Sequence, residues 1–224
     1  MNSGMKDIWV FATVREEGLE RETAGLIAEA RDLLSGLNHT GTVTVAALGS
    51  GLTPALGSLG ALGADRVVYA EGDLFGRYQG EIFTEALFQL VQKYSPSCIF
   101  MAQGPETADL SSRLAARMET VLISRAVDFR IDDEGKGVAV RPVANGYLFE
   151  KLILEDQDCP ILNFLPSVLY DPEVREPGEI EILLESVDIA SFDPKTEVIE
   201  IMEADTGDLL SLIHISEPTR LRRI

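Results

Sequence analysis

Residues 97–118, SCIFMAQGPETADLSSRLAARM, decide the fold of this chain. Their first part, Cys98–Ala102, is a short apolar run that follows Ser95-Pro96 and precedes Gly104-Pro105. A run of this length between turn residues predicts a buried strand. A strand that passes through a tight turn directly into a helix is the unit of an α/β fold.

The second part of this stretch predicts an amphipathic helix. Pro105 suits the first helical position, because the N–H that it lacks would have no helical partner there. Glu106 lies in the first turn, where the helix dipole favours negative charge. Apolar residues at every fourth position predict the buried stripe: Leu110, Leu114 and Met118. A second face carries charges at the same spacing, which favours a ladder of ion pairs: Asp109, Arg113 and Arg117.

Strands and helices alternate upstream of this stretch. The predicted strands are Ile8–Thr13, Thr42–Leu48 and Gly63–Ala70, and the predicted helices are Glu20–Leu34, Ala55–Leu62 and Ile82–Val91. Downstream, strands follow one another without long helices: Leu122–Ile131, Val138–Val143, Tyr147–Leu154 and Pro160–Leu165. We therefore predict an α/β fold, a Rossmann-like three-layer domain whose mostly parallel sheet is extended by antiparallel strands in its second half.

Composition excludes several classes of function. The net charge of −18 argues against nucleic acid as a partner, because its phosphates would repel the chain. The charge predicts solubility or, alternatively, an acidic surface that attracts a basic partner. No apolar run approaches the ~20 residues that span a bilayer, and residues 1–6 show no signal peptide, so we expect a cytoplasmic protein without membrane insertion.

The residues predict neither a metal centre nor a catalytic site. Cys98 and Cys159 are far apart and form no C-x-x-C pair, which favours buried free thiols. His39 and His214 have no ligand-like neighbours in the sequence. The glycine-rich segment 49–54, GSGLTP, lacks both the third glycine of a dinucleotide fingerprint and the Gly-Lys-Ser/Thr of a phosphate loop, so it predicts a tight turn.

Two groups of residues resemble a known family. Gly104, Asp109-Leu110, the run Arg113–Arg117 and Thr120 are similar in order and spacing to the signature of the electron transfer flavoprotein α subunit, in its N-terminal domain. Arg141-Pro142, followed by a glycine turn, matches a second pattern of that family. The resemblance marks these residues as the family signature: Gly104, Asp109, Arg113, Arg117, Thr120, Arg141, Pro142 and Gly146.

The resemblance implies an electron carrier rather than an enzyme with its own substrate. In this family an α and a β subunit form a heterodimer that carries electrons on FAD between flavin dehydrogenases and an acceptor. The FAD motifs lie in the C-terminal domain of the α subunit, so no cofactor-binding residue and no cofactor are expected in this chain alone. Two positions depart from the family pattern, Arg125 in place of Asp and Leu165 in place of Arg, which puts details of the subunit interface in doubt.

An alternative is a stand-alone nucleotide-binding α/β protein of the adenine nucleotide hydrolase-like or universal-stress type. That function needs a loop that cradles phosphate after the first strand, and residues 14–18, VREEG, are a poor candidate for it. Glu106 and Asp109 would also repel a phosphate at the start of the helix after Gly104.

The chain divides into three parts. The resemblance covers residues 6–170, the predicted α/β domain. Residues 171–208 are acidic and predict a linker or two edge strands, Glu179–Leu184 and Val198–Met202, leading towards a missing FAD domain. Residues 209–224 resemble the translation of a transposase adapter from sequencing libraries and are interpreted as a non-native tail. A genuine basic tail is the alternative.

Overall fold

The computed structural model describes residues 6–12, 14–15, 18–36, 41–51, 56–155, 158–170, 180–189, 192–196 and 198–199. The strands are β1 (Asp7–Ala12), β2 (Val14–Arg15), β3 (Gly18–Leu19), β4 (Thr42–Gly49), β5 (Arg66–Glu71), β6 (Cys98–Ala102), β7 (Leu122–Ala126), β8 (Asp128–Ile131), β9 (Gly137–Val143), β10 (Leu148–Leu154), β11 (Ile161–Phe164) and β12 (Glu181–Leu184). The helices are α1 (Arg21–Gly36), α2 (Leu59–Leu62), α3 (Gly80–Tyr94) and α4 (Pro105–Met118). The predicted adapter tail and both histidines lie outside the described residues.

A seven-stranded sheet forms the middle layer. Its strand order is β12-β5-β4-β1-β6-β11-β7, and every neighbouring pair is parallel. The inner strands are nearly continuous apolar runs, as expected for parallel strands that are covered on both faces. Residues of α1 and α2 pack on one face, and residues of α3 and α4 pack on the other. The predicted three-layer α/β fold is confirmed.

The stretch that decides the fold has the predicted structure. Cys98–Ala102 is strand β6, buried along its whole length, and α4 begins at Pro105. Leu110 and Leu114 are buried on the inner face of α4, and Met118 packs at its end. Because β6 lies on the other side of β1 from β4, the direction of the strand order reverses between β1 and β6. Such a reversal opens a crevice at the carboxyl ends of the two strands.

The antiparallel strands lie in a sheet of their own rather than at the edge of the parallel sheet. Strands β8, β9 and β10 form this second sheet, in the order β10-β9-β8. The predicted single strand Leu122–Ile131 is therefore two strands, because the chain leaves the main sheet after Ala126. Arg125 takes a left-handed conformation, φ 61°, where the register between β7 and β11 shifts by one residue. Such a bulge bends the strand and redirects the chain.

The first of the two predicted acidic strands is present as β12. It lies at the sheet edge, parallel to β5, and the Arg66 Nε–Glu181 Oε2 distance is 2.7 Å. The following residues run along α3, where Glu185 accepts a hydrogen bond from Lys93 at 2.5 Å. The second predicted strand, Val198–Met202, lies for the most part outside the described residues.

Candidate functional site

An acidic cleft of about 190 Å³ opens at the carboxyl end of β6, beside the start of α1. The lining comes from the start of α1, from the end of β6 and the turn and first residues of α4 that follow it, and from the second residue after β11. These residues are Glu20, Glu22, Ala102, Gln103, Gly104, Pro105, Glu106, Thr107 and Pro166. This is where α/β sheets commonly bind ligands.

The acidic cleft does not suit a dinucleotide. Three of the described lining residues are glutamates, namely Glu20, Glu22 and Glu106, and none of the described lining residues is basic. A pyrophosphate would meet like charges there, which cancels the attraction of the α4 N-terminus for anions. The cleft is also smaller than the roughly 300–1,000 Å³ typical of ligand pockets. The described lining therefore does not fit FAD.

The turn at the base of the cleft is closed by Thr107, a residue that sequence reasoning missed. The Gly104 N–H donates to Thr107 Oγ1 at 2.9 Å, and the hydroxyl of Thr107 donates to the Ala102 carbonyl. Thr107 thus gives a hydrogen-bond partner to the Gly104 N–H in the turn and to the Ala102 carbonyl at the end of β6. Its side chain is buried, with 4% of the residue exposed. The usual capping signal has Ser or Thr before the helix, whereas here glycine holds that position and threonine follows three residues later.

Replacing Thr107 by Val is expected to destabilise the domain by about 2 kcal/mol, because it leaves two backbone groups without their partner. The shape of the side chain is nearly kept. Thr84→Val is the matched control. Thr84 is also buried, but its hydroxyl bonds to the Gly80 carbonyl inside α3, so removing the hydroxyl leaves no buried backbone group without a partner. Urea unfolding of both variants measures the difference. Equal losses would contradict the capping role of Thr107.

Asp109 and Arg113, two of the signature residues, hold α4 against the start of α3. The Arg113 Nε–Asp109 Oδ1 distance is 2.9 Å, and the hydroxyl of Tyr78 donates to Asp109 Oδ2 at 2.9 Å. Burial, together with the bond to Asp109, raises the pKa of Tyr78. A Cβ on Gly80 would lie 2.3 Å from Asp109 Oδ2, so this contact requires glycine.

The predicted ladder of ion pairs ends at Arg113. The guanidinium of Arg117 instead pairs with Glu85 of α3 at 2.5 Å and lies 4.4 Å from the ring of Phe88. Helix spacing alone allows the ladder, but the packing of α4 against α3 brings the buried carboxylate of Glu85 within ion-pair distance of Arg117. Arg117 therefore joins the two helices.

The remaining signature residues stabilise loops and the antiparallel sheet. Thr120 donates to the carbonyl of Asp158 at 2.6 Å, just before β11. Arg141 of β9 bonds to Glu150 of β10 at 2.7 Å. Pro142 lies opposite Phe149 in the same pair of strands, and Gly146 forms the turn with φ 87°. Of the eight signature residues, only Gly104 lines the acidic cleft.

The hairpin formed by β9 and β10 exposes large apolar side chains, which we call the hairpin surface. The exposed fractions are 87% for Tyr147, 62% for Leu148, 67% for Phe149 and 55% for Ile153. Clustered exposed side chains of this kind mark interaction sites, whereas single ones do not. Sequence reasoning predicted the strand but not this surface, because alternation along a strand does not show which face stays uncovered.

Both departures from the family pattern lie beside the acidic cleft. Arg125 is exposed, and its N–H donates to Oε1 of Gln103 in the cleft wall at 3.3 Å. Leu165 donates its N–H to the carbonyl of Ala126 at 2.9 Å, immediately before Pro166 of the cleft. These contacts place Arg125 and Leu165 at the carboxyl edge of the sheet, away from the hairpin turn.

Glu29 gives the domain a pH-dependent stability. Burial against the sheet, with Asp128 and Asp32 nearby, raises the pKa of Glu29 above its ordinary value of 4.5. The folded chain thus holds this proton at a higher pH than the unfolded chain, so stability falls as pH rises from 4.5 through the raised pKa.

Glu29→Gln is expected to stabilise the domain at pH 7 by a few tenths of a kcal/mol, since solvent screens a half-exposed charge. The gain should vanish below pH 4.5, where wild-type Glu29 is protonated in both states. Thermal melts at several pH values measure it. Asp133→Asn, at an exposed turn position, is the control. A gain that persists in acid would show that charge is not its cause.

The described part of the chain contains neither a membrane-spanning helix nor a metal-binding cluster. None of its helices is both long and apolar enough to cross a bilayer. No group of three or more His, Cys, Asp and Glu side chains there is placed to hold a metal ion. Cys98 and Cys159 form no disulfide, and burial raises the pKa of both thiols, that of Cys159 to about 12.

Comparison with known proteins points to one family. Residues 8–176 match the electron transfer flavoprotein domain. The chain is 24% identical over 216 residues to the electron transfer flavoprotein subunit alpha of Clostridium acetobutylicum, which covers 93% of this chain and 64% of that protein. It is 28% identical over 210 residues to the subunit alpha of Bacillus subtilis, covering 91% and 61%. It is 26% identical over 170 residues to protein FixB of Rhizobium meliloti, covering 75% and 48%. The chain thus spans between about half and two-thirds of the length of these curated relatives.

Proposed function

Because the chain belongs to the electron transfer flavoprotein domain family, we propose that it is the N-terminal part of an electron transfer flavoprotein α subunit. With a β subunit and FAD, the full α subunit carries electrons between flavin dehydrogenases and an acceptor. Its N-terminal domain is scaffold and subunit contact, and it has no substrate of its own. Residues 6–170 form its domain, residues 171–208 lead towards the FAD domain, and residues 209–224 are a non-native tail.

The hairpin surface is the observation that carries this proposal. Tyr147, Leu148, Phe149 and Ile153 are each more than half exposed, and they lie along β10 and the turn before it. Aromatic residues of this kind anchor protein interfaces. A domain that works inside a heterodimer needs such a surface.

The acidic cleft argues against the alternative of a nucleotide-binding protein, and in this way it supports the same assignment. A stand-alone nucleotide-binding protein would bind phosphate at the carboxyl ends of the central strands, and three glutamates line the cleft at the end of β6. The FAD of the full protein therefore belongs to the part of the α subunit that lies beyond this domain. Neither cysteine takes part in a disulfide, which favours a reducing compartment such as the cytoplasm.

Co-expression with a cognate electron transfer flavoprotein β subunit tests the proposal. We expect the two chains to elute as a one-to-one complex in size-exclusion chromatography. The chain alone should be colourless and should show no heat of ATP binding in calorimetry. Failure to bind the β subunit would contradict the heterodimer, and stoichiometric flavin on the chain alone would contradict the assignment of FAD to the missing part.

A further inference from the structure

Strand β10 leaves one side of the antiparallel sheet open. In the order β10-β9-β8, β10 pairs with β9 alone among the described strands. Its sequence, LFEKLIL, runs for seven residues without a proline, glycine or bulge. Natural proteins usually protect such an edge by shortening it, interrupting it or covering it. An unprotected edge is a template for a further strand.

The register shows which backbone groups of β10 are open. Pro142 lies opposite Phe149, and because proline has no N–H these two residues cannot exchange a pair of backbone hydrogen bonds. The bonded pairs with β9 are therefore at the alternate positions of β10, namely Leu148, Glu150, Leu152 and Leu154. The N–H and C=O groups of Phe149, Lys151 and Ile153 point to the open edge.

The side chains of Phe149, Lys151 and Ile153 indicate which kind of neighbouring strand this edge favours. Phe149 and Ile153 are 67% and 55% exposed, and Lys151 is exposed between them without an ion-pair partner among the described residues. In a chain with a net charge of −18, a free lysine at the centre of an apolar edge favours an acidic neighbour.

The positive charge of Lys151 also argues against a second copy of the chain at the edge. If two copies of β10 overlapped fully and ran antiparallel, Lys151 would lie directly opposite Lys151 of the second copy, because it is the middle residue of the strand. Like charges directly opposite each other destabilise a strand pair. The edge therefore disfavours that self-pairing and suits a different chain.

We propose that the partner β subunit adds a strand to the open edge of β10, with apolar side chains beside Phe149 and Ile153 and an acidic side chain beside Lys151. This inference rests on the proposed heterodimer and gives it a mode of binding. The antiparallel sheet of the α subunit then continues into the β subunit, and the backbone of β10 contributes to affinity.

Amide hydrogen exchange measured by NMR tests this mode directly. In the free chain the amides of Leu148, Glu150, Leu152 and Leu154 should be protected and those of Phe149, Lys151 and Ile153 should exchange quickly. On binding the β subunit, the second set should become protected as well. A complex that forms while those three amides still exchange quickly would overturn strand addition and leave the heterodimer standing. No complex at all would overturn both.

Three variants at the edge give a second readout. Lys151→Pro removes an N–H that points to the partner and no bond to β9, so it should weaken binding about tenfold more than Lys151→Ala. Lys151→Arg keeps both charge and N–H and should bind like the wild type. The circular dichroism spectrum of each variant should match that of the wild type. Equal affinities for Lys151→Pro and Lys151→Ala would overturn strand addition.

Discussion

Replacing Phe100 by Ala is expected to lower the free energy of unfolding by about 3–5 kcal/mol, the cost of removing a fully buried aromatic side chain. Phe100 is 0% exposed and lies in β6, between β1 and β11. Its ring lies 4.9 Å from that of Phe164 in the main sheet and 5.9 Å from that of Phe129 in the antiparallel sheet. The cavity would therefore open where the two sheets meet.

Urea unfolding at pH 7 measures this loss, and Phe88→Ala is its matched control. Phe88 lies on α3, only partly buried, with the guanidinium of Arg117 over its ring. The same substitution should cost much less there, about 1 kcal/mol, because little apolar area is uncovered. If the two variants lose equal stability, Phe100 does not join the sheets. A lower slope of unfolding against urea would instead show that the antiparallel sheet comes loose first.

Sequence predicted the main sheet well because its signals are local. A buried parallel strand is a short apolar run, and the turn and helix after β6 are marked by Gly104 and Pro105 within the same stretch. The break between β7 and β8 has no such mark. Arg125 adopts a positive φ that neither its type nor its neighbours predict, since the bulge depends on pairing with β11.

Features of the site that depend on contacts between residues far apart in the chain could not be predicted from the sequence. Arg117 follows helix spacing towards Arg113, yet it pairs with Glu85, a residue 32 positions upstream on another helix. The placement of β12 beside β5 likewise joins residues far apart in the chain.

The signature residues are explained better as parts of the scaffold than as a binding site. Asp109, Arg113 and Arg117 join α4 to α3, and Thr120 fixes the loop before β11. Arg141 fixes the register of the hairpin through Glu150. These contacts position the helices, the loop before β11 and the hairpin, and of the eight residues only Gly104 reaches the acidic cleft.

Phe149→Asp is expected to weaken binding of the β subunit at least about 30-fold, since a central aromatic residue of an interface contributes 2 kcal/mol or more. The new carboxylate would lose water on binding and would face the acidic partner side chain proposed beside Lys151. Stability of the free chain should change little, because Phe149 is 67% exposed. Calorimetric titration of the purified chain with the β subunit measures the affinity.

Leu74→Asp is the matched control for this variant. Leu74 is a similarly exposed apolar residue, at 56%, but it follows β5, on the side of the main sheet away from β7 and the hairpin. Leu74→Asp therefore introduces the same charge away from the hairpin surface. The affinity of this variant for the β subunit should equal that of the wild type. Equal loss in both variants would mean that general acidity, rather than the hairpin surface, weakens association. Loss in Leu74→Asp alone would place the subunit contact at the opposite side of the sheet.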